Sequence, residues 1–282
     1  MDKGARQAGI HIRDLCDRVG MSRQNYYAAR RFRQSREVDE ALILELVRRE
    51  RRMQPRIGGR KLRHLLKADL TEANVSVGRD RFFELLAEHD LLVAPKPGTP
   101  HTTNSRHSLP VFHNLLAGKT WQKPNQAWVS DLTYIRTEEG FLYAALITDV
   151  YSRKIVGFHI GDTLEAEGCL QALDMATREL PDGKRPIHHS DRGCQYCCHE
   201  YVKRLQAREM AISMTEVQHC YENALAERVN GILKQEYAMD QTFRKKVHAI
   251  AALEQAVWLY NHRRPHTMLN YRFPADVHKE AA

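Results

Sequence analysis

The chain has 282 residues, 43% of them hydrophobic, and carries a formal net charge of +8 from 43 Lys and Arg against 35 Asp and Glu. That length and apolar content support one sizeable core plus one or two small modules and exclude a disordered, charge-dominated chain. No apolar run approaches the ~18 residues of a bilayer-spanning helix, and the N-terminus leads into no apolar signal segment, so a cytoplasmic protein with no membrane partner is expected.

The charge is segregated along the chain. Residues 1–67 hold 18 Lys and Arg against 8 Asp and Glu, an excess of ten, which leaves −2 for the remainder. A footprint for a polyanion followed by a nearly neutral catalytic body fits this split; a solvated basic helix face fits it as well. Over residues 8–34, Ile12, Leu15, Cys16 and Val19 recur at helical spacing, Gly20 breaks the helix and Ser22 can cap a second one. This reads as a helix-turn-helix. Its second helix opens with Arg23, Gln24 and Asn25, side chains suited to base edges and phosphates in a major groove. A helical connector follows, with Val38, Leu42 and Leu46 as an apolar stripe too short for a coiled coil.

Residues 56–93 repeat the helix-turn-helix plan, with Leu62, Leu65 and Leu66 on the first helix and Phe82, Leu85 and Leu86 on the second, after Ser76 and Gly78. Arg79 and Arg81, near the start of that second helix, are candidate phosphate contacts, though stem packing and solvation account for them equally. Pro95, Pro97, Pro100 and Pro110 mark an extended linker. The expected division is therefore a helix-turn-helix and connector over 1–50, a second such module over 51–93, a Pro-rich linker over 94–121, a catalytic core over 122–240, and a C-terminal helix with a basic tail over 241–282.

From Trp121 the pattern turns to strands. Ala127 to Arg136, Phe141 to Tyr151 and Lys154 to Ile160 are consecutive β-prone segments separated by turn signals, an antiparallel meander. A helix over 165–180, a strand over 186–190, a helix over 198–209, a short strand over 211–214 and a helix over 222–238 follow. That order is the order of the ribonuclease-H-like fold, an α/β layer with a mixed sheet, here preceded by small all-α modules.

Three acidic residues stand out on this frame: Asp131 and Asp191 at strand positions, and Glu227 inside a helical pattern with 35 residues between it and Asp191. Any one acidic residue is most often a solvated surface group. Three carboxylates brought to one point, with no His or Cys among them, suit hard divalent cations, Mg²⁺ or Mn²⁺, and a pair of such ions clamps the attacking and leaving oxygens of a phosphodiester. On the same helix, Asn223 and Lys234 stand four residues before and seven after Glu227, on one face with it; Lys234 is a candidate for a DNA phosphate and Asn223 for orienting a nucleotide or a metal-bound water. A solvated lysine and a capping asparagine are the plain alternative. The six cysteines show no disulfide framework, and Cys194, Cys197 and Cys198 lack the second half of a zinc site, so reduced thiols are expected.

The segments Trp128-Val-Ser-Asp131-Leu-Thr-Tyr-Ile135, His189-Ser-Asp191-Arg-Gly-Cys-Gln-Tyr196 and Tyr221-Glu-Asn-Ala-Leu-Ala-Glu227-Arg-Val-Asn230 closely resemble the integrase core of insertion-sequence transposases of the OrfB type, from the family designated IS-three. Tyr260-Asn-His-Arg-Arg-Pro-His266 through Pro274 is similar to that family's C-terminal signature. The resemblance implies Asp131, Asp191 and Glu227 as catalytic metal ligands for two Mg²⁺ or Mn²⁺ ions. It also implies cleavage that frees a 3′-hydroxyl, and strand transfer. DNA, as the terminal inverted repeats of the element and as target, would be the substrate, contacted by the residues above and by Arg228, Arg263 and Arg264. The implied setting is a homo-oligomer on DNA, nucleoid-associated when bound, with an upstream-frame OrfA-type protein as a further partner. A catalytically silent DNA-binding regulator and a metal-dependent nuclease without strand transfer are the alternatives. The complete carboxylate set opposes the first and the two candidate groove-reading modules oppose the second. One departure from the family's pattern is Glu222, where relatives place Asp. Five residues turn a helix by about 500°, leaving Glu222 some 140° around from Glu227 and unable to share its metal.

Overall fold

In a computed structural model describing residues 12–94, 109–216 and 223–280, the segments after Trp121 form an antiparallel meander of β1 (Ala127–Thr137), β2 (Gly140–Asp149) and β3 (Ile155–Gly161). The chain then crosses over through α6 (Ala166–Arg178) and returns as β4 (Ile187–Ser190), which pairs parallel with the first half of β1, and β5 (Ile212–Met214) adds outside β4. The sheet order is β3-β2-β1-β4-β5. A two-residue β6 (Thr242–Phe243) pairs parallel with β1 at Arg136 and Thr137. This mixed sheet with helices on both faces is a ribonuclease-H-like α/β fold. Between β4 and β5 lie a short turn of helix, α7 (Cys194–Cys197), absent from the sequence reading, and α8 (His199–Ala207); α9 (Ala224–Glu236), α10 (Lys246–His262) and α11 (Pro274–Glu280) complete the chain.

Period-two alternation sends the strand side chains into two cores. Leu142, Ala144 and Leu146 of β2 join Val229, Ile232 and Leu233 of α9 and Leu253 and Tyr260 of α10 on one face. Ala145 and Ile147, with Trp128, join Leu170 and Leu173 of α6 and Tyr201 and Leu205 of α8 on the other. At Gly157 in β3 the contact with α6 leaves no room for a side chain: a Cβ would lie 2.2 Å from the Ala172 carbonyl oxygen and 2.8 Å from the Ala176 Cβ. Because neither neighbour is a flexible side-chain end, Gly157→Ala is expected to cost about 3 kcal/mol or more, read as a lower urea midpoint at unchanged slope.

The described residues divide into two compact units, one of residues up to 49 together with 66–91, the other of 50–65 together with 92 onward. In the first, α1 (Ile12–Arg18) ends at Gly20, whose φ is +66°, and the Ser22 hydroxyl accepts the Asn25 N–H at 3.1 Å. The second helix does not stop for a separate connector. Instead α2 runs unbroken from Arg23 to Met53, 31 residues without Gly or Pro. The expected stripe holds only in its second half: Val38 is 69% and Leu42 37% exposed, while Leu46 is buried together with Ile43, Leu44 and Val47. Helices α4 (Lys67–Glu72) and α5 (Arg79–Glu88) are tied to α2 by Arg49 with Asp69 and by Arg81 with Glu40.

Residues 51–65, expected to open the second helical module, instead group with the unit that holds the sheet. Ile57 is fully buried and Lys61 of α3 (Gly59–Leu65) bonds Glu236 at 2.6 Å. Arg56 reaches Asp240 and Gln54 accepts from the Tyr237 hydroxyl. The Pro95–Pro100 part of the linker, Cys220 and Glu222 lie outside the described residues. No helix among the described residues is long and apolar enough to cross a membrane.

Candidate active site

Strand register sets the first two carboxylates side by side. β1 and β4 pair in parallel from Ala127↔Ile187 to Ser130↔Ser190, so Asp131 and Asp191 are the next residues on neighbouring strands, which run about 4.8 Å apart. β4 ends there. The turn after it is held by Gly193, whose N–H donates to Asp191 Oδ1 at 3.0 Å, and by Arg192 Nε, which donates to the Thr215 carbonyl at 2.5 Å. Beneath the pair, Ser130 Oγ and the Tyr201 hydroxyl both lie within hydrogen-bond distance of His188 Nε2, at 2.7 and 2.9 Å. Burial pushes His188 down to about 3, so this ring is neutral scaffolding that fixes the β1–β4 register.

Helix α9 supplies the third carboxylate. Asn223 Nδ2 donates to the Ser130 carbonyl at 3.1 Å, and Asn230 Nδ2 donates to Asp131 Oδ2 at 2.8 Å. Glu227 lies between the two asparagines in sequence, and its charge registers on Asp131. Lys234, one turn further, lies with Nζ 4.4 Å from the Tyr134 ring centroid. Asn230 is the residue that sequence reasoning missed; its spacing of three from Glu227 and seven from Asn223 was the available signal.

The electrostatics register this convergence. The Asp131 carboxyl is pushed up to about 7, first by burial and then by Asp191, with Glu227 adding, against the lowering hydrogen bonds from Asn230 and the Leu132 N–H. Like charges gathered in a partly enclosed place are short of positive charge. Among the described residues no group of three or more His, Cys, Asp or Glu stands as a ready-made metal cage. The donor set nevertheless fits a hard divalent cation, being all carboxylate oxygen, and one such ion would offset the repulsion that Asp131 registers. The cysteines nearby fit none: burial raises Cys169 to about 12 and Cys197 to about 11, keeping both as thiols.

Asp149 is a turn organiser, fully buried and accepting from Asn125 N, Ser152 N and Ser152 Oγ. Among the expected DNA contacts, Arg23, Gln24, Asn25, Arg79 and Arg228 are exposed. Asn223 is 2% exposed, its Nδ2 donates to the Ser130 carbonyl on β1, and its Oδ1 has no hydrogen-bond partner among the described residues. The expectation for Arg81 is corrected: its guanidinium is gripped by Glu40 at 2.8 Å and Glu88 at 2.7 Å, and hydrogen bonds to those carboxylates raise its already high pKa. Arg264, with a side chain 3% exposed, forms a two-point bond to Glu236 at 2.8 and 3.0 Å, and Arg263 forms another to Glu50 at 3.0 and 2.7 Å. Bonded to Glu236 through Nε and Nη2 and with Nη1 buried, Arg264 is a structural clamp.

A family model described as the integrase core domain matches residues 122–220, and a second of the same description matches 208–274. The chain is 37% identical over 266 residues to the insertion element IS600 uncharacterized 31 kDa protein of Shigella sonnei, covering 93% of this chain and 96% of that one. It is 32% identical over 225 residues to the transposase for insertion sequence element IS629 of the same organism, covering 79% and 73%. Among solved structures, the HTLV-2 integrase catalytic core domain in complex with magnesium is 18% identical with a TM-score of 0.45, covering 55% of this chain and 97% of that one.

Proposed function

The chain belongs to the insertion-sequence transposases of the IS-three type, with an integrase-like core, and from that premise we propose that it cuts DNA at the ends of a mobile element and joins the freed ends to target DNA, with Asp131, Asp191 and Glu227 as the reacting site. The observation that supports this reading is the β1–β4 register with α9 bonded to β1 through Asn223 and Asn230, together with the Asp191 and Glu227 charges that raise the Asp131 pKa. In cleavage, a water oxygen attacks phosphorus and the bond to the 3′ oxygen breaks, leaving a 3′-hydroxyl. In joining, that 3′ oxygen attacks a target phosphorus and displaces the target's own 3′ oxygen.

Asp131, Asp191 and Glu227 would hold the divalent cations. When bound, Mg²⁺ or Mn²⁺ supplies polarisation of the phosphodiester, a lower pKa for the attacking hydroxyl and charge for the leaving oxygen. The chain's own groups do the positioning. Asn230 fixes the Asp131 carboxylate, Asn223 pins the start of α9 to β1, and Lys234 meets a phosphate of the strand in the site. No nucleophilic side chain is required. The substrate is DNA, and action on two element ends calls for an oligomer, with the OrfA-type protein as a further partner.

The test is incubation of the purified chain with labelled element ends. Nicked and joined products should form with Mg²⁺ or Mn²⁺, vanish with a chelator and not return with Zn²⁺. A second readout needs no DNA. Asp131 at about 7 is mostly protonated at pH 6.5, so adding Mg²⁺ there should release a proton and Asp131→Asn should abolish that release. The sign extends to stability. A carboxyl raised above its ordinary value in the folded state binds a proton that the unfolded chain releases, so the metal-free protein gains stability as pH falls from 8 toward 5. Cleavage that survives excess chelator would overturn the reading.

A further inference from the structure

β1 changes character at the site. Through Ser130 it is a central strand, flanked by β2 and β4, and at Arg136 it gains β6. Between these, residues 131–135 have a strand neighbour on the β2 side only, among the described residues. Such a gap leaves a stretch of β1 without a strand on one side, beginning at the candidate carboxylate, where Asn223 and Asn230 bond it from α9.

Two cations stand along this stretch on one aromatic ring. Lys234 Nζ is 4.4 Å from the Tyr134 centroid and the Arg136 guanidinium carbon 5.9 Å from it. The ring is itself fixed, edge-to-face against Phe141 with centroids 5.7 Å apart. Neither cation donates a hydrogen bond or forms an ion pair with a carboxylate among the described residues, unlike Arg81, Arg263 and Arg264. A π face attracts cations but does not neutralise them, so two like charges sharing one ring leave a place for an anion. Burial lowers the Lys234 pKa first of all; Tyr134 and Asp131 act to raise it, Arg136 lowers it further and Asp240 raises it.

We propose that Lys234, Arg136 and the Tyr134 ring form a phosphate seat for a DNA strand laid along this stretch of β1, with Tyr134 as the positioning residue that holds both cations. The seat rests on the proposed function and deepens it: it sets where the backbone of the reacting strand runs relative to Asp131. The ligand class is a phosphodiester, and the shared chemistry with free phosphate is resolved by the assay. Arg136 and Tyr134 would each act on DNA affinity, and Tyr134 only through its ring face.

The full chain should be titrated with a random-sequence duplex, a single strand of the same length and inorganic phosphate, across a series of KCl concentrations, by anisotropy for the nucleic acids and competition for phosphate. Arg136→Gln should reduce the slope of log affinity against log salt by about 0.9 on duplex or 0.7 on the single strand, the value for one lost contact. Tyr134→Leu should do the same, Tyr134→Phe should retain the wild-type slope, and Arg178→Gln, an exposed arginine at the end of α6, should change nothing. An unchanged slope in Arg136→Gln overturns the seat. So does a lowered thermal midpoint with unchanged slope, the mark of a cation already paired within the chain, and so does phosphate competing as well as DNA, which would make it a site for a free anion. Salt-independent DNA binding by the wild type would sink the transposase reading itself, and Arg136→Gln keeps the test sharp where Tyr134→Leu fails to fold.

Discussion

Glu227→Gln is expected to abolish end cleavage and strand transfer together, by on the order of 10³-fold or more, while leaving DNA affinity unchanged. The substitution keeps size and hydrogen bonding but removes one of the charges that raise Asp131, so the Asp131 carboxyl should also titrate lower. The two reactions share one site, and a loss confined to transfer would separate them and refute the shared arrangement. Glu222 is the control within the same stretch of sequence. The 35-residue gap after Asp191 points to Glu227, so Glu222→Gln is expected to retain most activity, and product analysis on labelled ends reads both variants in one gel. A reversal of the two phenotypes would move the third carboxylate to Glu222.

Arg264→Met should cost about 3 kcal/mol of unfolding free energy at neutral pH, because it removes two of the three bonds that hold a buried carboxylate. Glu236 takes two bonds from Arg264 and one from Lys61, with side-chain exposures of 16%, 3% and 15%. Burial by itself would raise the Glu236 pKa; the Arg264 hydrogen bond and charge, with Lys61, outweigh it and the net shift is downward. A carboxyl lowered in the folded state contributes stability above its ordinary value near 4.5 and loses it as pH falls below. The gap between wild type and Arg264→Met should therefore narrow in acid, measured by urea unfolding at neutral pH and again below pH 4. A gap that stays constant would mean that the guanidinium stabilises by packing on the Tyr260 ring, 5.6 Å away, and not by charge.

The strands were legible because their side chains alternate: Leu142, Ala144 and Leu146 go to one core and Ala145 and Ile147 to the other, a period that survives in the sequence. Lys234 and Glu227 were legible as one helix face for the same kind of reason. The fate of the arginines was not. Composition reports that Arg81, Arg263 and Arg264 are cations, but their partners Glu40, Glu50 and Glu236 are fixed by tertiary packing, and Arg263 and Glu50 lie 213 positions apart. Charge excess in the first 67 residues thus overstates what is available to a polyanion, since Arg36, Arg49, Arg56 and Lys61 are also paired. The length of α2 was hidden by its polarity: the sequence has no breaker between Arg23 and Met53, but its central apolar positions do not keep one face.

The parallel pairing of β1 with β4 also orders events in time. An antiparallel meander closes through short turns, whereas a parallel neighbour must wait for its crossover to be made and packed. During synthesis, β1, β2 and β3 with Asp131 can assemble before Asp191 has left the ribosome, and Glu227 follows later still. A nascent or truncated chain ending before α9 thus carries a folded sheet and an isolated carboxylate pair without the third member. The third candidate carboxylate therefore joins the other two only after α9 has been made and packed.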